Sequence, residues 1–402
     1  MNNTYNIAVV GKTGVGKSTL INYLYGEKKR ETGVGKPVTT KGFEYIDFNV
    51  DGLPIRIYDS WGLEADKSQE WKNELDRELQ KRSIDTPISD WFHTIFYCIS
   101  AGGARVEDFE LDIINMFLDS KYKVNVIFTK ADQASKEEIN ELKSYLKEKI
   151  NKKLNYIAVC SEEKELLSGQ KIQKFGRKKV IKSINDNFWD DMTMRLPERV
   201  YNLVVKRVDD WVENQISYVK DNIGMFNTKE IIENINLKTE KFVNKIDQEI
   251  INNIISSELK SFLDIYKQFN DFINYKTYNK KNYYFPNYKE IVEDLQHKEI
   301  KGLDLIKTIF LGQVTSFTGA IGGVIGGGIF ALPAFVPSIL LGKFIGKKIN
   351  QNKLIEKLKE NRDKLVVELK EIKPVINELL VGLKKIYKNE NYNLLKSSMN
   401  NK

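Results

Sequence analysis

Tyr5-Asn6-Ile7-Ala8-Val9-Val10, followed at once by Gly11-Lys12-Thr13-Gly14-Val15-Gly16-Lys17-Ser18 and the helical pattern Thr19–Tyr25, is the stretch that decides the first half of this chain. The apolar run before the glycines reads as a short buried strand. Between strand and helix stands the pattern GxxxxGKS. Its glycines let backbone N–H groups turn inward around phosphate oxygens, and the helix that starts directly afterwards adds the partial positive charge of its N-terminus. Lys17 has the length to reach β and γ phosphates, and the Ser18 hydroxyl suits Mg²⁺. Gly11, Lys12, Thr13, Gly14, Val15, Gly16, Lys17, Ser18 and Thr19 therefore form the candidate phosphate cradle.

Working outward, Leu53–Tyr58 alternates like a strand and runs into Asp59-Ser60-Trp61-Gly62. In that DxxG spacing an aspartate can hold the Mg²⁺ shell and the Gly62 N–H can meet a γ-phosphate. Lys123–Phe128 is another buried strand and ends in Thr129-Lys130-Ala131-Asp132, which resembles the guanine-reading N/T-K-x-D motif. There the aspartate accepts hydrogen bonds from ring N1 and exocyclic N2 of guanine. Adenine lacks that donor pair and would leave a buried carboxylate unsatisfied, so GTP and GDP are the expected nucleotides. Tyr156–Val159 leads into Cys160-Ser161-Glu162, where related GTPases carry a Ser-Ala-type loop whose backbone touches the base, and Ser161 is the candidate there. The loop Gly33–Gly42 precedes the alternating strand Phe43–Val50; Thr40, then Thr39, is the choice for completing Mg²⁺ coordination and sensing the γ-phosphate.

The order of these motifs resembles the Ras-like and Era-like superfamily of P-loop GTPases across roughly the first half of the chain. The resemblance implies an α/β P-loop GTPase domain with a mostly parallel sheet and helices on both faces. It implies GTP/GDP and Mg²⁺ as ligands, with Lys17, Thr40 and Gly62 at the reacting phosphate and Ser18, Thr40 and Asp59 around the metal. The departures matter for rate. Leu63 stands where Ras-like members have a glutamine that orients the attacking water, which implies slow unaided hydrolysis. Gly14 stands where K⁺-using Era-like members carry an asparagine, so that device is not supported. Thr129 in place of asparagine is also seen in dynamin-like and septin-like GTPases. Arg30, Lys36 and Arg56 are candidate cations in cis, and Glu64 is a candidate for positioning water.

At 402 residues and 41% hydrophobic content the chain supports more than one domain. Its net charge of +8 is spread as Lys alternating with Glu on helical stretches, which reads as solvated surface. Cys98 and Cys160, the only two cysteines, sit in apolar runs and read as core residues, not as a disulfide. Met1–Tyr5 does not resemble a signal peptide, so a cytoplasmic location is expected.

The expected GTPase domain spans 1–195 and a helical domain 196–402. Ser135-Lys136-Glu137-Glu138 is a capping-box start for a helix to about Leu154, and a helix near Lys179–Met192 closes the first domain. Pro197 opens a new regime. Val204, Val208, Trp211, Val212, Gln215 and Val219 mark one face of a long amphipathic helix, and more helix follows from Lys229 to about Tyr275. Tyr283 and Tyr284 beside Lys280 and Lys281 lack the rest of any RNA-binding motif, so nucleic acid is not the expected partner.

Thr308–Gly342 contains no charged residue and is crowded with Gly319, Gly322, Gly323, Gly326, Gly327 and Gly328 before Pro333 and Pro337. It exceeds the roughly 20 residues one crossing needs, and lysines flank both ends, which favours a hydrophobic hairpin that dips into an anionic membrane and returns. A Gly-rich centre of a soluble helical bundle is the competing reading. A last amphipathic helix over 353–387 repeats apolar residues from Leu358 to Ile386, with a kink expected at Pro374. It suits packing within the chain or self-association, and a homodimer through the GTPase domains or these helices is the expected protein partner. The helical half resembles dynamin-like or immunity-related GTPases. That resemblance implies a switch, peripheral or hairpin-anchored at the inner face of a membrane. An Era-like GTPase of ribosome or RNA assembly and a GTP-binding scaffold with little hydrolysis are the alternatives.

Overall fold

Short apolar runs alternating with amphipathic segments can bury both faces of a strand only in a sheet covered on two sides, and this arrangement is found. The computed structural model describes residues 4–25, 43–50, 53–60, 67–102, 105–165, 169, 171–222, 228–245, 252–278, 351–374 and 376–384. Strands β1 (Tyr5–Gly11), β2 (Phe43–Val50), β3 (Leu53–Ser60), β4 (Thr94–Ser100), β5 (Val124–Thr129) and β6 (Asn155–Ala158) form one sheet in the order β2-β3-β1-β4-β5-β6. Only β2 runs antiparallel, paired with β3 from Phe43 opposite Ser60 to Val50 opposite Leu53. The expected mostly parallel sheet is thus the observed one.

Helices α1 (Lys17–Tyr25), α2 (Ser68–Lys81), α3 (Asp108–Asp119) and α4 (Lys136–Lys149) alternate with the strands. Trp71 and Leu75 of α2, Ile113 and Phe117 of α3 and Leu146 of α4 share one core with Ala8, Tyr97, Val126 and Phe128 of the sheet. Each such side chain contributes about 1.5–3 kcal/mol by leaving water. Tyr5 packs on Phe188 of the next helix, α5, at 5.4 Å between ring centroids, and Phe188 in turn stacks on Phe262 at 5.2 Å. At the start of β1, the Asn6 N–H donates to Nδ1 of buried His93 at 2.8 Å, while Nε2 lies 2.9 Å from the Ile88 carbonyl. These bonds assign the neutral Nε2–H tautomer and tie β1 to the entry of β4.

The Ser135 capping box forms as expected: Ser135 Oγ accepts from the Glu138 N–H at 3.1 Å, and Glu138 accepts from the Ser135 N–H at 2.7 Å. The helix stops at Lys149, short of Leu154, because Ile150 turns to extended backbone. A short antiparallel pair not foreseen from sequence follows β6: β7 (Lys164–Glu165) with β8 (Lys171–Ile172).

The helix expected near Lys179–Met192 and the long amphipathic helix expected from Glu198 onward are one element. Helix α5 runs from Arg177 to Asn222, 46 residues with Pro197 inside. Proline there removes one backbone hydrogen bond, a cost of about 3 kcal/mol. Val180, Phe188, Met192, Leu196, Val200, Val204 and Val208 are all fully buried along one stripe, and that burial on both sides of Pro197 outweighs the lost bond.

The chain divides into two compact units, one drawn from Met1–Met192 with Ser261–Phe285, the other from Thr193–Lys260 with Pro286–Lys402. In the second unit the C-terminal part of α5 lies with α6 (Thr228–Lys245), the start of α7 (Asn252–Tyr278) and α8 (Gln351–Glu368). The α8 periodicity is spent inside the chain: Arg362 makes a two-pronged pair with Asp209, and the Tyr201 hydroxyl donates to the Val366 carbonyl at 3.2 Å. A 3₁₀ turn at Leu369–Glu371 interrupts the helix one turn before Pro374, where a kink was expected. The segments 308–342 and 385–402 lie outside the described residues.

Buried Arg199 grips Glu258 with both arms of its guanidinium, at 2.7 and 2.9 Å. Removing the carboxylate takes the two-pronged partner from an arginine whose side chain is only 8% exposed. Glu258→Ala is expected to destabilise the helical unit by about 3 kcal/mol, seen as an earlier urea midpoint.

Candidate nucleotide-binding site

Because β3, β1, β4, β5 and β6 are parallel, the loops that leave their C-terminal ends gather on one side of the sheet. The first of these loops begins with an unusually close approach. Gly11 pairs with Cys98 across β1 and β4, and a Cβ at Gly11 would stand 2.4 Å from the Cys98 carbonyl oxygen. Gly16, at φ +100°, turns the loop back over Thr129 and Lys130 before α1 starts at Lys17.

Lys17 is buried, and its ammonium donates to the carbonyls of Gly11 and Lys12 at 2.8 and 3.0 Å. Burial lowers its pKa, and the negative charge of Asp59 opposes that shift. Asp59 is itself buried near the C-terminal end of β3. Beneath the loop, burial pushes the Cys98 thiol up to about 12. Ser18 occupies the first turn of α1, Thr19 follows it, and Thr13 and Gly14 are exposed at the outer bend.

The far side of the loop is held by the end of β5. The Thr129 hydroxyl donates to the Val15 carbonyl, with the Ile99 carbonyl at 3.1 Å, and Lys130, at φ +49°, donates from Nζ to the Gly14 carbonyl at 2.7 Å. Asp132 follows in a 3₁₀ turn spanning Ala131–Gln133, whose Ala131 N–H donates to the Val159 carbonyl at 3.1 Å. The chain after β6 therefore runs beside Asp132, with partly exposed Ser161 next to Cys160.

A phosphate-cradling loop, a buried strand-end carboxylate and a second carboxylate one loop away now stand together on one edge. Residues 6–161 match the family profile described as 50S ribosome-binding GTPase. This part of the chain is a P-loop GTPase domain. Within curated proteins, the GTPase domain is 31% identical over 159 residues to Septin-8-A of Danio rerio, a match covering 35% of this chain and 37% of that one. It is 31% identical over 141 residues to the tRNA modification GTPase MnmE of Acetivibrio thermocellus, covering 35% and 28%. The chain thus spans about a third of the length of these relatives. Among solved structures, Toc33 from Arabidopsis thaliana in complex with Mg²⁺ and GMPPNP is 16% identical, covers 48% of this chain and 86% of that chain, and has a TM-score of 0.35.

The residues of the GTPase domain fit the ligands that such a domain takes. Ser18 and Asp59 offer hard oxygen donors, and Mg²⁺ is commonly held by one or two protein oxygens with phosphate and water completing the shell. Thr39, Thr40, Gly62, Leu63, Glu64, Arg30 and Lys36 lie outside the described residues. Arg56 does not reach the site: it pairs in register with Asn6, at the opposite end of β1 from the loop, and binds Asp47 through two bonds at 2.6 and 2.8 Å.

Lys12 contributes backbone to the cradle but sends its side chain elsewhere, to Glu107 and buried Glu110 at the start of α3, both at 2.8 Å. The sequence hides this because the two carboxylates are remote in the chain. It also hides Lys164, whose ammonium lies 2.8 Å from Asp132 Oδ2. Burial alone would raise the Asp132 pKa, but hydrogen bonds from Lys164, its own backbone N–H and the Cys160 thiol outweigh it and hold the carboxyl below its usual range. Gly11→Ala should force β1 and β4 apart at the loop. A fall in melting temperature together with at least about tenfold weaker GDP binding is expected, measured by calorimetry on the full chain.

Proposed function

We propose that this protein is a GTP-binding and slowly GTP-hydrolysing switch, built as a GTPase domain over 1–195 and a helical domain over 196–402. Its nucleotide state would control association of the helical domain with an anionic membrane. The observation that carries the nucleotide part is the Lys130–Gly14 contact, which couples the guanine-reading motif to the phosphate loop in one rigid unit. Lys17 and the N–H groups of Gly11–Ser18 bind the phosphates, Lys130 and Asp132 read guanine with Thr129 and Ser161 supporting, and Thr40 and Gly62 meet the γ-phosphate. Ser18, Asp59 and Thr40 would hold Mg²⁺, which when bound neutralises charge on the phosphate oxygens. Leu63 supplies no hydrogen bond to a water, so turnover without a partner is expected on the order of 10⁻² s⁻¹ or slower.

The membrane part rests on the uncharged composition of Thr308–Gly342 and its flanking lysines. Among the described residues no helix is long and apolar enough to cross a membrane. A peripheral or hairpin-anchored position at the inner face of a membrane suits that uncharged composition. Flotation of the full chain with anionic liposomes should depend on bound nucleotide and disappear when 308–342 are deleted. Binding to no liposome in any nucleotide state would return that segment to a bundle core.

A second reading has two observations in its favour: the matched family is described as 50S ribosome-binding, and one relative is a tRNA modification GTPase. An Era-like role in ribosome or RNA assembly would show as GTP-dependent co-sedimentation with large ribosomal subunits instead of liposomes. The base assignment has its own test. Asp132→Asn should weaken GTP about 100-fold and favour xanthosine triphosphate, read by competition binding; unchanged GTP affinity would sink it.

A further inference from the structure

The base side of the site contains an element that no GTPase motif accounts for. After β6 the chain pairs Cys160 with Phe175 through two backbone bonds, Cys160 N–H to Phe175 carbonyl at 3.2 Å and Phe175 N–H to Cys160 carbonyl at 3.0 Å. Between them Lys164–Glu165 and Lys171–Ile172 pair as the β7–β8 ribbon, closed at its base by that bridge. Gly176, at φ +94°, fixes the exit, since a Cβ there would stand 2.5 Å from the Ala158 carbonyl oxygen. Arg177 then donates to the Tyr23 and Leu24 carbonyls at the end of α1, with Nη2 2.7 Å from that of Leu24. The ribbon is therefore anchored at both feet to the GTPase domain.

Lys164 is the first residue of the ribbon, and it lays its ammonium 2.8 Å from Oδ2 of Asp132. The exposures are unequal: 34% for the lysine side chain and 3% for the aspartate. A lysine leaving this contact regains water at little cost, whereas the carboxylate must be given other donors. Guanine is such a donor, because its N1–H and N2–H require both carboxylate oxygens.

We propose that Lys164 is a displaceable counter-ion of the base pocket, a latch that guanine must unseat from Asp132 and that thereby sets the affinity for guanine nucleotides. The proposal rests on Asp132 being the guanine reader. The latch and the base compete for one carboxylate, so removing the latch strengthens binding, and the gain appears in association and not in dissociation. An ion pair of this exposure corresponds to a gain of about two- to fivefold.

The test uses GDP with Mg²⁺ on the full chain, with titration calorimetry for affinity and stopped-flow fluorescence of a labelled GDP for rates. Lys164→Met should bind GDP about two- to fivefold more tightly through faster association, Lys164→Arg should return to the wild-type value, and Lys164→Met should add nothing in an Asp132→Asn background. Unchanged or weaker binding by Lys164→Met, while Asp132→Asn alone weakens GDP, overturns the latch and leaves the guanine reading standing. Unchanged GDP affinity in Asp132→Asn removes the guanine reading, and the latch falls with it. Far-ultraviolet circular dichroism of each variant separates these results from misfolding.

Discussion

The nucleotide edge of the sheet depends on how closely the backbone of Gly11 lies against that of Cys98. With β1 paired between β3 and β4, the chain has no sideways room at that point, and only a residue without a side chain can begin the turn. The turn then folds over the end of β5, where Thr129 and Lys130 bind the Val15 and Gly14 carbonyls. A loop tied on one side by a steric limit and on the other by side-chain donors is held in shape by the protein's own contacts. That is what electrostatic stabilisation of phosphate requires, because the binding groups need little reordering on contact.

The parts of this site that were legible in sequence are those whose atoms lie close together in the chain. The phosphate loop compresses strand, turn and helix start into a few consecutive residues, and Asp59 and Asp132 each announce themselves by ending or closely following an apolar strand. Lys164 offers no such signal. A strand of two residues has no measurable alternation, and its partner is set by a bridge between Cys160 and Phe175 that only folding creates. The same logic explains α5. Pro197 is a strong local stop signal, yet the buried apolar residues on either side, from Val180 to Val208, belong to one stripe, and tertiary burial overrode the local penalty.

In the helical unit, periodicity was readable but its destination was not. Leu358, Leu365, Leu369, Ile372, Ile376, Leu379 and Leu383 are spaced for a coiled coil, and all are buried. Charge decides what the seam faces: Arg362 to Asp209 and Lys373 to Glu198 bind the C-terminal helices to α5 of the same chain. Heptad-like spacing states that a helix has a sticky side. The polar pairs flanking it state with what it sticks.

Cys98 gives the seam under the phosphate loop an unintended use. A fully buried thiol whose proton is held up to about 12 is chemically silent, because alkylating reagents and disulfides need both access and thiolate. Its sulfur becomes reactive only when local opening of the domain exposes it. The protein thus carries, at the strand beside its glycine-rich loop, a natural clock for local breathing: the rate of Cys98 alkylation counts how often the core opens there, with no residue changed.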